Sequence, residues 1–308
     1  MVNIKHYVVA GLAALLLQIS TFAHQAVAQA NGTVKVADGI HAFSFNGYTS
    51  MFVIGDDGVF VVEPVTTAHS KEMLKSIRTL TDKPIRYMVH SHNHWDHSGG
   101  GQVWKDAGAT IIAHEKAVAW IKANPNPRIG LVVPDESWSG TRKDISVGNK
   151  TIELYYFGTN HGLGMTVFRL PKEKVVYIAD LVSPNRLLFT IVPDFNIRET
   201  QRTLAEIEKL DFDKAIFSHS GPVGTKADVA AIRQYTDDLK AAIFAEFKKG
   251  TSPFNVPNTV KLPKYKDWAM YDQWLPMNAW RVLLDGWMGP FPWDPNAESY
   301  VVPARAAK

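Results

Sequence analysis

Residues 90–100 read His90-Ser91-His92-Asn93-His94-Trp95-Asp96-His97-Ser98-Gly99-Gly100, so four histidines and one carboxylate fall within eight positions. Imidazole and carboxylate are the ligand types that zinc takes. Burying so many of them without a partner would cost desolvation with no return. His92 and His94, two apart, can direct both rings to one side of an extended turn, whereas Asp96 and His97 lie beyond the bend and can face a second ion. Two ligand pairs on one loop point to two metals. The chain contains no cysteine, so any metal must sit on His, Asp or Glu, and no thiolate nucleophile or disulfide framework is available. A serine triad has no support either, because no Gly-x-Ser-x-Gly elbow is present.

Such a loop needs rigid elements on both sides. Before it, Ile85 to His90 reads as a buried strand. After Gly99 a helix is expected, then the strand Thr110 to Ala113 and the helix Glu115 to Ala123. Upstream, the β-rich runs Val34 to Phe45, Ser50 to Ile54 and Val59 to Val62 read as an antiparallel meander, with Gly55-Asp56-Asp57-Gly58 as a turn. Thr67 to Thr81 carries Met73, Leu74, Ile77 and Leu80 at helical spacing, and Pro84 closes it. Asn124 to Gly140 has three prolines and no period, and reads as an ordered loop over a site. Thr151 to Phe157, Met165 to Leu170 and Val175 to Ile178 form a second β-rich set. From Arg198 to Lys249 the pattern is mostly helical, broken by the strand Ala215 to Ser218. The tail after Thr251 holds Trp268, Trp274, Trp280, Trp287 and Trp293, five of the nine tryptophans, and reads as a helix and a crossing arm packed on the core.

His92-x-His94-x-Asp96-His97, followed by Gly99-Gly100, resembles the signature loop of the metallo-β-lactamase superfamily of hydrolases. It stands where that family has it, after a strand and before a helix. Gly158-x-x-His161-x-x-Gly164, Tyr177-Ile178-Ala179-Asp180 and Ile216-Phe217-Ser218-His219-Ser220-Gly221 follow in the family's order, each at a strand end. The resemblance implies an α/β fold of the four-layer αββα kind, with the metals at one open edge where loops meet. It also implies that His92, His94 and His161 hold one zinc, that Asp96, His97 and His219 hold the other, and that Asp180 bridges them. Two zinc ions per chain are expected, with iron or manganese as the other candidates. Taken alone, His161 or His219 would be an ordinary histidine; its place after a strand is what marks it. His90 and His114 fall outside the expected site as strand-end or supporting residues.

Two departures from the family pattern concern the surroundings of the metals. Glu63 stands where Asp is frequent, and Ser218 and Ser220 flank the last histidine where glycine is frequent. Asp180 is more informative. Di-zinc β-lactamases as a rule have Cys or Ser at this place, whereas thioesterases, lactonases and phosphodiesterases of the superfamily have a bridging Asp.

Two cations about 3.5 to 4 Å apart, bridged by a carboxylate, lower the pKa of a shared water from 15.7 toward ~7. The expected nucleophile is thus a metal-bridging hydroxide. Asp96 is the catalytic candidate, since a carboxylate there can hold metal and also orient the hydroxide or pass its proton. The expected reaction is hydrolysis of a small ester or lactone, or of a thioester. Three alternatives stand beside it: a periplasmic β-lactamase, a mono-iron persulfide dioxygenase on the same fold, and a non-catalytic metal-binding protein. The dioxygenase uses one iron and leaves the other ligand set incomplete, whereas both sets look complete here. Trp95 and Trp138 are candidates for apolar walls.

The 308 residues are 46% hydrophobic and 20% charged, which suits a folded chain of one large domain or two small ones. A net charge of +3, without a Lys/Arg-rich run, leaves no electrostatic footprint for nucleic acid. Lys5, the uncharged apolar run Tyr7 to Leu17 and the small residues Ala26-Val27-Ala28 read as a signal peptide over residues 1–28. The apolar run is shorter than the roughly 20 residues that span a bilayer. A periplasmic or secreted protein with no stable membrane anchor is expected. Residues 29–250 read as the catalytic domain and 251–308 as an extension packed on it. The expected partner is a small-molecule substrate, and the sequence does not set the oligomeric state.

Overall fold

The computed structural model describes residues 31–219, 221 and 223–289. The expected signal peptide, Ser220, Trp293 and the last part of the expected extension lie outside the described residues. Seven strands form the first sheet: β1 (Gly32–Ala37), β2 (Ile40–Phe45), β3 (Tyr48–Ile54), β4 (Val59–Val62), β5 (Ile85–Val89), β6 (Thr110–His114) and β7 (Glu136–Trp138), paired in that order. The first four are antiparallel and joined by tight turns. From β4 onward the pairs are parallel, because a helix or loop carries the chain back each time. The second sheet contains β8 (Arg142–Val147), β9 (Lys150–Tyr156), β10 (Thr166–Leu170), β11 (Val175–Ile178) and β12 (Lys214–Phe217), in the order β12-β11-β10-β9-β8.

Strand alternation sets the layers. In β4, Phe60 and Val62 join Ile152, Leu154 and Phe168 in the core that includes the second sheet. Val59 and Val61 point the other way, to Met73 and Ile77 of helix α1 (Thr67–Leu80) and, past the single turn α2 (Trp95–Ser98), to Trp104 of helix α3 (Gly101–Asp106). Helices α5 (Ile197–Lys209) and α6 (Lys226–Lys248) pack on the second sheet through Leu204, Ile207, Val229 and Ile232. The result is the αββα arrangement. Each of these longer helices begins on a side-chain cap: Thr66 for α1, Asn196 for α5, and the Thr225–Asp228 capping box for α6.

Three local expectations are corrected. The run Val34 to Phe45 is two strands, since Gly39 at φ 69° folds it into the β1–β2 hairpin. Asn124 to Gly140 is not wholly a loop, because Glu136–Trp138 adds β7 to the sheet edge and Trp138 is buried against His114. Strand β8 escaped the sequence pattern because Arg-Lys-Asp precedes its two buried residues, Ile145 and Val147, on a sheet edge. The tail forms the short helix α7 (Val256–Thr259) and the longer α8 (Tyr271–Met288), whose Trp274, Leu275, Ala279 and Leu283 are buried in the main core. Among the described residues, no helix is long and apolar enough to cross a membrane.

Strand direction explains where the chemistry gathers. β4 and β5 run parallel, and so do β11 and β12; β9 runs with them because β10 is antiparallel to both of its neighbours. Their C-terminal ends therefore meet at one edge. Glu63 follows β4, the histidine loop follows β5, His161 follows β9, Asp180 follows β11 and His219 follows β12. The start of β3, antiparallel to β4, brings Tyr48 to the same edge.

Candidate metal centre

All seven sequence candidates converge. Possible ligand atoms of His92, His94, His161 and Asp180 lie within 4.8 Å of one another, as do those of Asp96, His97 and His219. Asp180 joins the two sets. Its Oδ2 lies 3.1 Å from His97 Nε2, 3.1 Å from His161 Nε2 and 3.6 Å from His92 Nε2, while Oδ1 lies 3.1 Å from His219 Nε2. Asp180 takes a left-handed φ of 50°, which is strained for a residue with a side chain. The strain is held by Ser218, whose Oγ accepts from the Asp180 amide at 2.9 Å and donates to Oδ1 at 2.7 Å.

The outer nitrogen of each imidazole meets oxygen. Ser91 Oγ donates to Glu63 and so accepts from His92 Nδ1 at 2.8 Å, which leaves His92 Nε2 with its lone pair facing inward. His97 Nδ1 lies 3.2 Å from Glu63 Oε2, His94 Nε2 is bonded to Asp194 Oδ2 at 2.6 Å, His161 Nδ1 lies 3.1 Å from Asp194 Oδ1, and His219 Nδ1 donates to Gly47 O at 3.4 Å. Carboxylates and carbonyls behind imidazoles are how proteins orient metal-binding histidines. The inward Nε2 atoms of His92 and His97 are buried and make no hydrogen bond, and the outer Nδ1 atoms of His97 and His161 meet their carboxylates at ion-pair distance only. Orphaned nitrogens of this kind, facing a carboxylate, fit cations of the zinc type.

Burial by itself would lower the pKa of His97, but Asp180 and Glu63 outweigh it and hold the ring well above its ordinary value. His161 is likewise lifted to about 9, by Asp194 and Asp180 against its burial. The same partners act in reverse on the acids. Burial opposes ionisation of Asp180, Asp194 and Asp96, yet the neighbouring imidazoles keep the first two far below the usual carboxylate range and bring Asp96 to about 2.

Gly162 shows how tightly the group is closed. At φ 58° it passes beside the ligands, and a Cβ there would sit 2.8 Å from His92 Cδ2. No residue with a side chain fits without moving the imidazole.

The centre forms the floor of a cavity of about 420 Å³, walled by Tyr48, Arg186, Leu188, Phe189, Val192 and Phe195 among others. Tyr48 donates to Asp96 Oδ2 at 3.1 Å, and its phenol is pushed up to about 12, by burial first and by Asp96 next. Arg186 stacks over the Trp274 ring at 4.8 Å. Trp138 is not a wall, being buried against His114. Trp95 borders another groove with Thr67, Arg128 and Ile129, and Asp96 lines both this groove and the cavity.

Asp194, Tyr48 and Arg186 were not legible beforehand. Asp194 lies in an aperiodic loop and Tyr48 at a strand start, where nothing in their spacing marks them. His90 stays outside the ligand groups; it is buried, and burial pushes its pKa down to about 4. His114 serves locally, accepting the Lys116 amide at the start of helix α4 (Glu115–Ala123) and stacking on Tyr156 at 4.0 Å.

Comparison with known proteins agrees with this geometry. Residues 45–219 match the family model of the metallo-beta-lactamase superfamily. The chain is 29% identical over 178 residues to the alpha subunit of 2,4-dinitroanisole O-demethylase from Nocardioides sp. (strain JS1661), covering 56% of this chain and 52% of that one. It is 28% identical over 171 residues to the beta subunit, covering 54% and 52%. The chain thus spans about half the length of the curated relatives it matches. Among solved structures, a metallo-beta-lactamase from Pontibacter korlensis superposes with a TM-score of 0.58 at 18% identity, over 66% of this chain and 98% of that one. The stereoselective inverting sec-alkylsulfatase Pisa1 from Pseudomonas sp. superposes with 0.68 at 16% identity, over 89% and 52%. Those two likenesses are of fold.

Proposed function

The chain belongs to the metallo-beta-lactamase superfamily, whose function is of the hydrolase type, and on this footing we propose that it is an exported enzyme that uses two zinc ions to hydrolyse a small ester, lactone or thioester. The observation that carries this reading is Asp180, one carboxylate within 3.1 to 3.6 Å of imidazoles from both ligand groups. His92, His94 and His161 would hold one ion, Asp96, His97 and His219 the other, with Asp180 shared. Bound there, two divalent ions supply an acidified water and polarise the bond under attack.

The chain's own residues do the rest. Tyr48 fixes the Asp96 carboxylate, which orients the attacking water and takes its proton. Leu188, Phe189, Val192 and Phe195 bind an apolar body and exclude water, while Arg186 offers a cation to an anionic group on the same molecule. A cavity of about 420 Å³ suits a small molecule. Residues 1–28 supply the export signal.

A second reading is hydrolysis of an aryl methyl ether, favoured by the apolar walls and by the relatives described as 2,4-dinitroanisole O-demethylase subunits. A turnover screen of the zinc-loaded protein tests both, with lactones, aryl esters, thioesters, a nitroaryl methyl ether, a secondary alkyl sulfate and a chromogenic cephalosporin. Turnover of an ester, lactone or thioester that is abolished by chelator supports the first reading. Turnover of the ether alone transfers the assignment to the second, and turnover of the cephalosporin alone refutes both.

A further inference from the structure

The loop between β11 and α5 should not hold its shape by itself. Asn185, Thr190 and Val192 take φ values of 52°, 45° and 44°, and two of these residues are β-branched. Such conformations persist only where the surroundings impose them. The surroundings here belong to the C-terminal segment. Asn278 of α8 donates from Nδ2 to Leu188 O at 3.0 Å and Thr190 O at 2.6 Å, and its Oδ1 accepts from Tyr235 OH at 2.8 Å. Arg281 donates to Pro193 O at 3.3 Å. Trp274 packs against Phe189 edge-on at 5.3 Å, and Ala269 exchanges backbone bonds with Asn185 and Leu187.

The same loop reaches the metal centre. Asp194 follows the carbonyl that Arg281 holds, and its carboxylate meets His94 Nε2 at 2.6 Å, His161 Nδ1 at 3.1 Å and the Gly162 amide at 3.0 Å. Two of the three imidazoles proposed for one ion are therefore oriented by a carboxylate that is itself placed by the tail. Among the described residues the imidazoles of the other group have no such link; the shared Asp180 opens the same loop but is held by Ser218. His97 leans on Glu63 at the end of β4, and His219 on Gly47.

We propose that Asp194 is a positioning residue that ties the substrate-facing loop and helix α8 to the His92–His94–His161 group, so that the C-terminal segment sets the metal affinity of that group and not of the other. The proposal rests on the two-metal reading above. Loss of a partner behind metal ligands typically weakens metal affinity about 10- to 100-fold. Removing Asp194 acts on the imidazoles directly, and removing Asn278 acts only through the loop.

The test is titration of the metal-stripped full-length protein with Co²⁺ against a chromophoric chelator, recording the visible cobalt absorption as well as stoichiometry. The variants are Asp194→Asn, Asn278→Ala and Arg281→Met, each checked for fold by circular dichroism. The expected result is two ions in the unaltered protein, with one step weakened about 10- to 100-fold in Asp194→Asn and the same step weakened in Asn278→Ala or Arg281→Met, while the other step is unchanged. If Asn278→Ala does not fold, Arg281→Met decides. Unaltered affinities in Asp194→Asn, or in folded tail variants beside a weakened Asp194→Asn, overturn the proposal. An unaltered protein that takes up fewer than two ions overturns the two-metal reading instead.

Discussion

Ser218 holds Asp180 at two points: its hydroxyl accepts the Asp180 amide at 2.9 Å and donates to Oδ1 at 2.7 Å. One fully buried serine thus fixes both the strained backbone and the carboxylate that faces four imidazoles. The metallo-β-lactamase pattern often has glycine at this place, so this chain adds a clamp. Ser218→Ala should keep the fold and lower turnover and metal affinity about 10- to 100-fold, read by steady-state kinetics and chelator competition on one preparation. Unchanged values for both would show that the backbone holds Asp180 without the hydroxyl.

Gly162→Ala should disturb the metal centre directly, because the added methyl meets a candidate metal-binding imidazole. The new carbon would lie 2.8 Å from His92 Cδ2 at a φ of 58°. Strain of about 1 to 3 kcal/mol follows from the backbone alone, and the imidazole must move. Lowered metal content together with a lowered thermal midpoint is the expected result, and a crystal structure with an unmoved His92 would refute it.

The candidate ligands were legible in the sequence, the histidine loop by its crowding of imidazoles and His161, Asp180 and His219 through the resemblance to the metallo-β-lactamase pattern. His92, His94, Asp96 and His97 share one turn; His161, Asp180 and His219 each end a strand, and parallel strands end at one edge. What supports them was not legible. Asp194 reaches His94 across 100 positions of sequence, and Tyr48 reaches Asp96 across 48. Such contacts depend on how an aperiodic loop lies, which hydrophobic period does not encode. The same reason hid β8 and β7, since edge strands with one buried face or three residues carry little pattern. The amphipathic helices and the fully apolar strands β4 and β11 stood out because burial on two sides leaves only apolar residues.

Buried His69 gives the fold an acid limit of its own. Burial pushes its pKa down to about 4 from an ordinary 6.5, and Nε2 is bonded to Ser50 Oγ at 2.9 Å. A depressed folded value means that the unfolded chain takes the proton first as pH falls. The stability present above pH ~6.5 is therefore lost progressively between ~6.5 and ~4, by up to ~3 kcal/mol. His69→Gln should flatten this part of the stability-against-pH curve in urea unfolding between pH 7.5 and 4.5. A curve parallel to that of the unaltered protein would remove His69 as a cause.

The apolar wall should act on substrate binding and not on the metals. Phe189 is 58% exposed and lines the cavity beside Trp274. Phe189→Ala should reduce kcat/KM for aryl substrates by about tenfold, mainly through KM, as lost apolar contact of ~1.4 kcal/mol would give. Metal content should stay the same. A fall in kcat with KM unchanged would place the residue in the chemical step instead.

The bridging role of Asp180 is tested most directly by elemental analysis of the purified protein beside its Asp180→Ala variant, both exchanged into metal-free buffer after zinc loading. A shared carboxylate predicts two zinc ions per chain in the first and one or none in the second, with the circular dichroism spectrum retained. Two zinc ions retained in Asp180→Ala would contradict it.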